Sequence, residues 1–280
     1  RAGNNASFEL GIVYFDDTPP SVIGVFPNSN TFINLDEIEY SVNEELLSGD
    51  IKWTPSDGAP SIDISLTGAE LNTGTFSKSK LTNQKDLVDG KSYNLIIYAN
   101  DRAGNSSTTV LAENITFDKT KPKFTEVTPT TSARINSQLI KWTVNEELTS
   151  GKYTWIHMGG SDDPEAPHTF DLSQDMLDAG SFDNSTLGDL NLVADAMYRI
   201  TLEGTDKAKN TGKKFIMSVV YDDKPPTLEI KYPESNTAIK NLDIAYFISE
   251  GLSDGQFLYT QVSGLPDPNS PVTFDLTGVE

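Results

Sequence analysis

The feature that most constrains this chain of 280 residues is an internal repeat with a period of about 103 residues. The segment Ser41-Val-Asn-Glu-Glu-Leu-Leu-Ser-Gly recurs as Thr143-Val-Asn-Glu-Glu-Leu-Thr-Ser-Gly, 102 residues later. It returns in altered form at Phe247, after a further 104 residues. Because a repeat of this kind marks structural units that follow one another along the chain, fold and function have to be explained per repeat.

A second segment places the boundaries between the units. Phe15-Asp-Asp-Thr-Pro-Pro returns at Phe117 and Tyr221 with the same two intervals of 102 and 104 residues. Prolines with acidic residues are typical of linkers between domains. The predicted units are residues 1–17, the C-terminal strand of a preceding repeat; 18–119 and 120–223, two complete repeats; and 224–280, the N-terminal half of a further repeat.

Within each unit the pattern is that of short β-strands. In Tyr198-Arg-Ile-Thr-Leu-Glu-Gly-Thr, apolar and polar residues alternate, as in a strand with one buried face. The strand runs into Asp206-Lys-Ala-Lys-Asn, and its counterpart into Asp101-Arg-Ala-Gly-Asn, where Gly104 suits a tight hairpin turn. Further strands are predicted at Ser21–Phe26, Glu37–Val42, Asp50–Thr54 and Ile62–Leu66. About seven short strands per unit predict an all-β fold of tandem immunoglobulin-like β-sandwich repeats.

Two sets of aromatic residues agree with a sandwich. Trp53, Trp155 and Tyr259 occupy one equivalent position in the third strand, where Ig sandwiches bury a large ring. Tyr93 and Tyr198 stand where a tyrosine corner bonds back to the chain. With no cysteine in the chain, apolar packing around these rings has to hold the two sheets together.

The junction motif Asp-x-Thr-x-Pro and the hairpin motif Tyr-x-Leu-x-Ile-x-Ala-x-Asp-x-Ala-Gly-Asn resemble the tandem bacterial Ig-like repeats of large extracellular adhesins and appendage proteins. The resemblance covers essentially the whole chain. It implies a non-catalytic stalk or fibre segment that lies outside the cell or on its surface. The expected partners are neighbouring repeats of the same long chain and other copies in a fibre.

Composition excludes several other classes of function. The formal net charge is −20, which disfavours nucleic acid and anionic membrane surfaces as partners. No apolar run reaches the ~18 residues of a membrane span. The absence of cysteine excludes thiol catalysis and zinc–thiolate sites, and His157 and His168 are predicted to be surface histidines. The sequence therefore predicts that this chain is not an enzyme.

The candidate site residues are acidic and recur once per unit. In Ig topology the start of the first strand, the loop between the second and third strands, and the last hairpin turn lie at one pole. The residues are Asp16, Asp17, Glu44, Glu45 and Asp101 in the first complete repeat, Asp118, Glu146, Glu147 and Asp206 in the second, and Asp222, Asp223 and Glu250 in the third. Because Ca²⁺ takes 6–8 oxygen ligands, these carboxylates predict calcium at the junctions, with Asn105 or Asn210 and linker carbonyls completing the shell.

Two kinds of alternative stay open at this point. Asp101 and Asp206 could instead accept backbone N–H bonds in their own turns, with no cation bound. The repeats could also form a glycan- or protein-binding module, or an accessory region of a secreted polysaccharide-degrading enzyme.

Overall fold

A computed structural model describes residue 3 and residues 5–276 of the chain. Residues 1, 2 and 4 of the predicted N-terminal strand, and 277–280 of the predicted half repeat, lie outside the described residues. The described chain is all-β, with short 3₁₀ turns as its helical elements, and divides into two units, 1–221 and 222–280. The first unit contains two successive β-sandwiches.

The first sandwich packs a three-stranded sheet against a five-stranded sheet. Its strands are β1 (Val22–Phe26), β2 (Phe32–Ile33), β3 (Ile38–Val42), β4 (Leu46–Pro55), β5 (Ile62–Ser65), β6 (Gly74–Ser79), β7 (Lys91–Asp101) and β8 (Ser106–Phe117). The sheet orders are β1-β3-β6 and β2-β8-β7-β4-β5. All pairings are antiparallel except β2 with β8.

The second sandwich repeats the same topology. Its strands are β9 (Phe124–Thr128), β10 (Arg134–Ile135), β11 (Lys141–Val144), β12 (Leu148–Gly160), β13 (His168–Asp171), β14 (Gly180–Asp183), β15 (Ala196–Asp206) and β16 (Thr211–Tyr221). Their orders are β9-β11-β14 and β10-β16-β15-β12-β13. The predicted immunoglobulin-like sandwiches are therefore confirmed as the fold class, whereas the exact repeat boundaries stay predictions.

The cores of both sandwiches are built around the predicted aromatic residues. Trp53 and Trp155 have no exposed surface, and each meets a tyrosine edge-on, Tyr93 at 6.0 Å and Tyr198 at 5.7 Å between ring centroids. The hydroxyl of Tyr93 accepts the N–H of Val88, and Tyr198 accepts the equivalent bond five residues upstream, both at 2.9 Å. Both tyrosine corners are confirmed, and in each sandwich the tryptophan and the tyrosine form a T-shaped pair on neighbouring strands of the five-stranded sheet.

Strand register brings the loops that carry acidic residues to one pole of each sandwich. β4 pairs with β7 so that Leu46 lies opposite Asp101, and β12 pairs with β15 so that Leu148 lies opposite Asp206. The turn before β4 therefore lies beside the β7–β8 hairpin, and the turn before β12 beside the β15–β16 hairpin.

Sequence patterning located the strands with strong alternation and missed weaker ones. The predictions for β1, β3 and β5 agree with the structure to within one residue, whereas β4 extends from Leu46 to Pro55. The edge strands β6 and β14 were not predicted. β6 buries little, since its residues are exposed or half-buried, and therefore shows no clear hydrophobic period. Among the described residues no helix has the length and apolar character to cross a membrane.

The unit from Asp222 consists of two separate strand pairs. β17 (Leu228–Tyr232) pairs with β18 (Ala245–Ile248), and β19 (Gln256–Tyr259) pairs with β20 (Val272–Asp275). β17 is exposed along its whole length, and no described residue of 222–276 is buried. These strands therefore present apolar side chains to solvent rather than enclosing a core.

Candidate metal centre

Three predicted carboxylates of the first sandwich converge at its acidic pole. Asp16 precedes β1, Glu44 lies in the turn between β3 and β4, and Asp101 ends β7. One carboxylate oxygen from each lies within 4.8 Å of the others. Asp101 is buried, Glu44 is half-buried and Asp16 is exposed, so the group opens to solvent on the side of the linker.

The second sandwich builds the same group from equivalent positions. Asp118, Glu146 and Asp206 also place one oxygen each within 4.8 Å of one another. The intervals from Asp16 to Asp118 and from Glu44 to Glu146 are both 102 residues. Here all three side chains are at least half-buried, so this second group is the more enclosed of the two.

The buried aspartate of each group also caps its own hairpin turn. Asp101 accepts the backbone N–H and the side-chain amide of Asn105, both at 2.8 Å. Asp206 accepts the same two bonds from Asn210, at 2.8 and 2.9 Å. Because an ionised carboxylate offers about four lone-pair sites, capping occupies only part of its acceptor capacity. The turn-capping role and a cation-binding role are therefore compatible in one side chain.

The asparagines do not present oxygen to the groups as expected. The amide nitrogen of Asn105 donates to the main-chain carbonyl of Asp16 at 3.1 Å, and Asn210 donates to that of Asp118 at 2.9 Å. The side-chain oxygen of Asn210 is taken by Asn34, at 3.2 Å. The expectation that Asn105 or Asn210 completes a cation shell is wrong, because each directs N–H groups at the linker and the carboxylate.

Burial and mutual repulsion raise two pKa values in the second group. Burial is the main cause of the raised pKa of Asp118, and the charges of Asp206 and Asp89 add to it. Burial likewise raises the pKa of Glu146, with further contributions from Asp118, Asp206 and Asp89. These carboxylates therefore ionise at a cost that a bound cation would offset.

In the first group, the pKa of Asp101 is lowered rather than raised. Burial raises the pKa of Asp101, but hydrogen bonds from Asn105, Gly104 and Ala103 outweigh it and leave the pKa below its usual range. The buried member of this group is therefore held ionised by its own turn.

The remaining predicted acids lie outside the two groups. The carboxylate of Glu45 pairs with Arg102 at 2.6 Å, and that of Glu147 pairs with Lys207 at 2.5 Å. Asp17 is exposed and belongs to neither group. The two neighbouring glutamates of each turn therefore have different partners. The first lies with the other two carboxylates of its group, and the second pairs with a cationic side chain.

The third predicted set is not assembled in the described residues. Asp222 accepts the N–H of Lys224 at 3.2 Å, and Glu250 is exposed. Together with Asp223 they form no group comparable to the two above within the part of the chain that the structure describes.

Sequence reasoning missed Asp89, which lies beside the second group. Its two oxygens accept the N–H of Lys119 at 2.6 Å and the hydroxyl of Thr120 at 2.7 Å. The position has no acidic counterpart in the second repeat, where Ala194 stands at the same distance before the tyrosine corner. A search for recurring residues therefore could not find it.

The structure also corrects the prediction for one histidine. The side chain of His168 is only 8% exposed and bonds the buried carboxylate of Asp163 at 2.7 Å. Tyr198 donates its hydroxyl to the same oxygen at 2.7 Å, and the ring of His157 stands against Tyr198. His168 is therefore part of a buried polar network in the second sandwich and not a surface residue.

No family model and no curated protein sequence matches the chain. Among solved structures it is similar to the FN1–FN3 domains of chicken CNTN1, with a TM-score of 0.33 and 13% identity over 71% of this chain and 69% of that one. It is also similar to a tetra-tandem repeat in the extending region of a large adhesion protein, with a TM-score of 0.30 and 18% identity over 92% of this chain and 62% of that one.

A third similar structure belongs to a 1.5-MDa bacterial ice-binding adhesin. Its TM-score is 0.30 at 12% identity, over 78% of this chain and 71% of that one. These three structures are thus fibronectin-type domains and repeats of adhesion proteins. Values of this size describe a general likeness in fold and carry no inference about function.

Proposed function

We propose that this chain is a non-catalytic stalk segment of an extracellular adhesin or surface appendage, in which Ca²⁺ binds at the junctions and reinforces them. The observation that carries the proposal is the recurrence of one carboxylate group at the same pole of two consecutive sandwiches. An enzyme needs one preorganised site per chain, whereas an array of repeats reuses a structural device in every unit.

The chemistry of the groups favours calcium among common cations. Each group offers three carboxylates from three separate segments: the linker, a turn and a hairpin. Ca²⁺ accepts six to eight oxygen ligands in irregular geometry and tolerates water among them, whereas Mg²⁺ demands a near-ideal octahedron. A cation held in this way connects the linker to two loops of the sandwich that follows it.

Calcium titration of the full chain tests the proposal. We expect binding by calorimetry and a higher melting temperature with Ca²⁺ than with chelator, because a ligand at a hundredfold excess over Kd adds about 2.7 kcal/mol to the stability of the state that binds it. The double variant Glu44→Gln, Glu146→Gln should lose most of both effects.

A matched control distinguishes the loss of a calcium ligand from the loss of negative charge in the same turn. The double variant Glu45→Gln, Glu147→Gln removes the same charge from the same two turns but acts on the pairs with Arg102 and Lys207. It should keep calcium binding. If calorimetry detects no calcium binding to the unmodified chain and chelator leaves its melting temperature unchanged, the carboxylates only cap turns. The calcium part of the proposal is then wrong.

A further inference from the structure

The linker between the two sandwiches is bonded along its length to the first sandwich. The N–H of Asp118 donates to the carbonyl of Ile33 at 2.8 Å. The next two residues are held by Asp89, whose carboxylate accepts the N–H of Lys119 and the hydroxyl of Thr120. Hydrogen bonds from these two donors lower the pKa of Asp89, so the carboxylate is charged and the bonds are charge-assisted.

The second sandwich holds the opposite side of the same linker. Asn210, at the end of the β15–β16 turn, donates its amide N–H to the carbonyl of Asp118 at 2.9 Å. The oxygen of the same amide accepts an N–H from Asn34 at 3.2 Å. Since Asn34 follows β2 of the first sandwich, Asn210 bonds the second sandwich both to the linker and directly to the first sandwich.

A further contact closes the interface between the two sandwiches. The ammonium of Lys207 lies 5.6 Å from the centre of the Phe32 ring, within the range of a cation–π interaction. Lys207 is positioned by its ion pair with Glu147 of the same sandwich. Asn210 and Lys207 are thus each held by a carboxylate of their own sandwich, Asp206 and Glu147 respectively.

Asp89 is not required by the sandwich fold itself. The segments Val88-Asp89-Gly90 and Val193-Ala194-Asp195 both stand five residues before the corner tyrosine. The second sandwich therefore builds the same corner with alanine in place of the aspartate. The carboxylate at position 89 is explained by the linker that it holds.

We infer that the junction between the two repeats is a joint locked by the polypeptide itself, with Asp89 and Asn210 as its positioning residues, so that the orientation of the repeats does not depend on a bound cation. This goes beyond the proposed calcium sites, which add stability to a joint whose geometry the side chains have set. Asp89 and Asn210 hold the linker so that Asp118 meets Glu146 and Asp206 before any cation arrives.

Distance measurements by pulsed electron paramagnetic resonance test the lock in the full chain. Because the chain has no cysteine, spin labels can be placed on Thr108→Cys in the first sandwich and Lys214→Cys in the second, both exposed positions on equivalent strands. We expect a narrow distance distribution with Ca²⁺ and the same distribution with chelator. When the substitutions Asp89→Ala and Asn210→Ala are both introduced into the labelled chain, the distance distribution should become broad with Ca²⁺ and with chelator.

Two further variants keep the test interpretable. Asp89→Ala alone should broaden the distribution while leaving the melting temperature of the chain close to that of the labelled parent, because alanine is tolerated at this position in the second repeat. Glu113→Ala removes an equal charge from an exposed position of the first repeat and should leave the distribution narrow.

The outcomes separate this inference from the proposed function. A distribution that broadens with chelator in the unmodified joint would overturn the lock while supporting calcium as the element that sets the geometry. A narrow distribution in the double variant would also overturn it. If calorimetry detects no calcium binding and the double variant still loses the narrow distribution, the calcium proposal fails and the lock stands.

Discussion

At the scale of single residues, equivalent positions in the two repeats are used differently. Tyr93 and Tyr198 both accept a backbone N–H five residues upstream. Tyr198 in addition donates to Asp163, which is buried and also bonded by His168. Burial raises the pKa of Asp163, but the bonds from His168, Tyr198 and Glu165 leave it below its usual range. The same tyrosine corner thus carries a buried charge in only one repeat.

Replacing each corner tyrosine with phenylalanine measures that difference. Tyr93→Phe loses one neutral hydrogen bond and should cost about 1 kcal/mol, whereas Tyr198→Phe also deprives a buried carboxylate of a donor and should cost about 2–3 kcal/mol. Urea unfolding of the full chain gives both losses. Equal losses would contradict a charged Asp163.

The pH dependence of this stabilisation has a definite sign. Because the folded-state pKa of Asp163 is lowered, its contribution is complete above the pKa of an unfolded carboxyl and is lost as the pH falls through the lowered value. The excess cost of Tyr198→Phe should therefore shrink in acid.

At the scale of elements, the β16 strand approaches the segment before β9 more closely than side chains allow. A Cβ atom on Gly212 would lie 1.9 Å from the carbonyl oxygen of Pro122. The corresponding residue of the first sandwich is Ser107, which has a Cβ atom. At this position the close approach is therefore made in the second sandwich, next to the turn that Asn210 ends.

Gly212→Ala is predicted to destabilise the second sandwich by about 1–3 kcal/mol, since the backbone of Pro122 has to move to admit the methyl group. Denaturant unfolding monitors the loss, and Ser107→Ala serves as the control with an expected change below about 1 kcal/mol. If Gly212→Ala leaves the free energy of unfolding unchanged, β16 and the linker segment can move apart without loss of stability.

At the scale of the molecule, burial divides the chain unequally. The two sandwiches each enclose a core of apolar side chains, whereas no described residue of 222–276 is buried. Apolar side chains such as Leu228, Phe247 and Leu258 are about half exposed. A single free energy of unfolding for the whole chain would therefore average over segments that differ in how easily they open locally.

Amide hydrogen exchange should resolve the segments. We expect β17 to β20 to exchange rapidly in the isolated chain and the core strands β7 and β15 to exchange slowly, because local opening is easy where few apolar contacts are made. If 222–276 were protected as well as the sandwiches, a strand from another molecule would have to complete it. Dilution would then restore fast exchange.

The sequence alone determined the fold class and the location of the site to within a loop. A period of about 103 residues, alternating strands and the aligned residues Trp53 and Trp155 identify repeated sandwiches, and Ig topology then brings one linker, one turn and one hairpin to the same pole. These inferences succeed because burial requires a periodic pattern that the residues themselves display.

Only the tertiary structure decided which side chains meet. Glu44 joins the carboxylates while Glu45 turns to Arg102, because side-chain direction within a turn depends on local backbone angles and on partners 57 residues away. Asp89 was missed and His168 was misplaced at the surface for a related reason. Neither residue has a counterpart of its own type in the other repeat, so no recurrence marks it, and only the folded chain brings donor and acceptor within hydrogen-bonding distance.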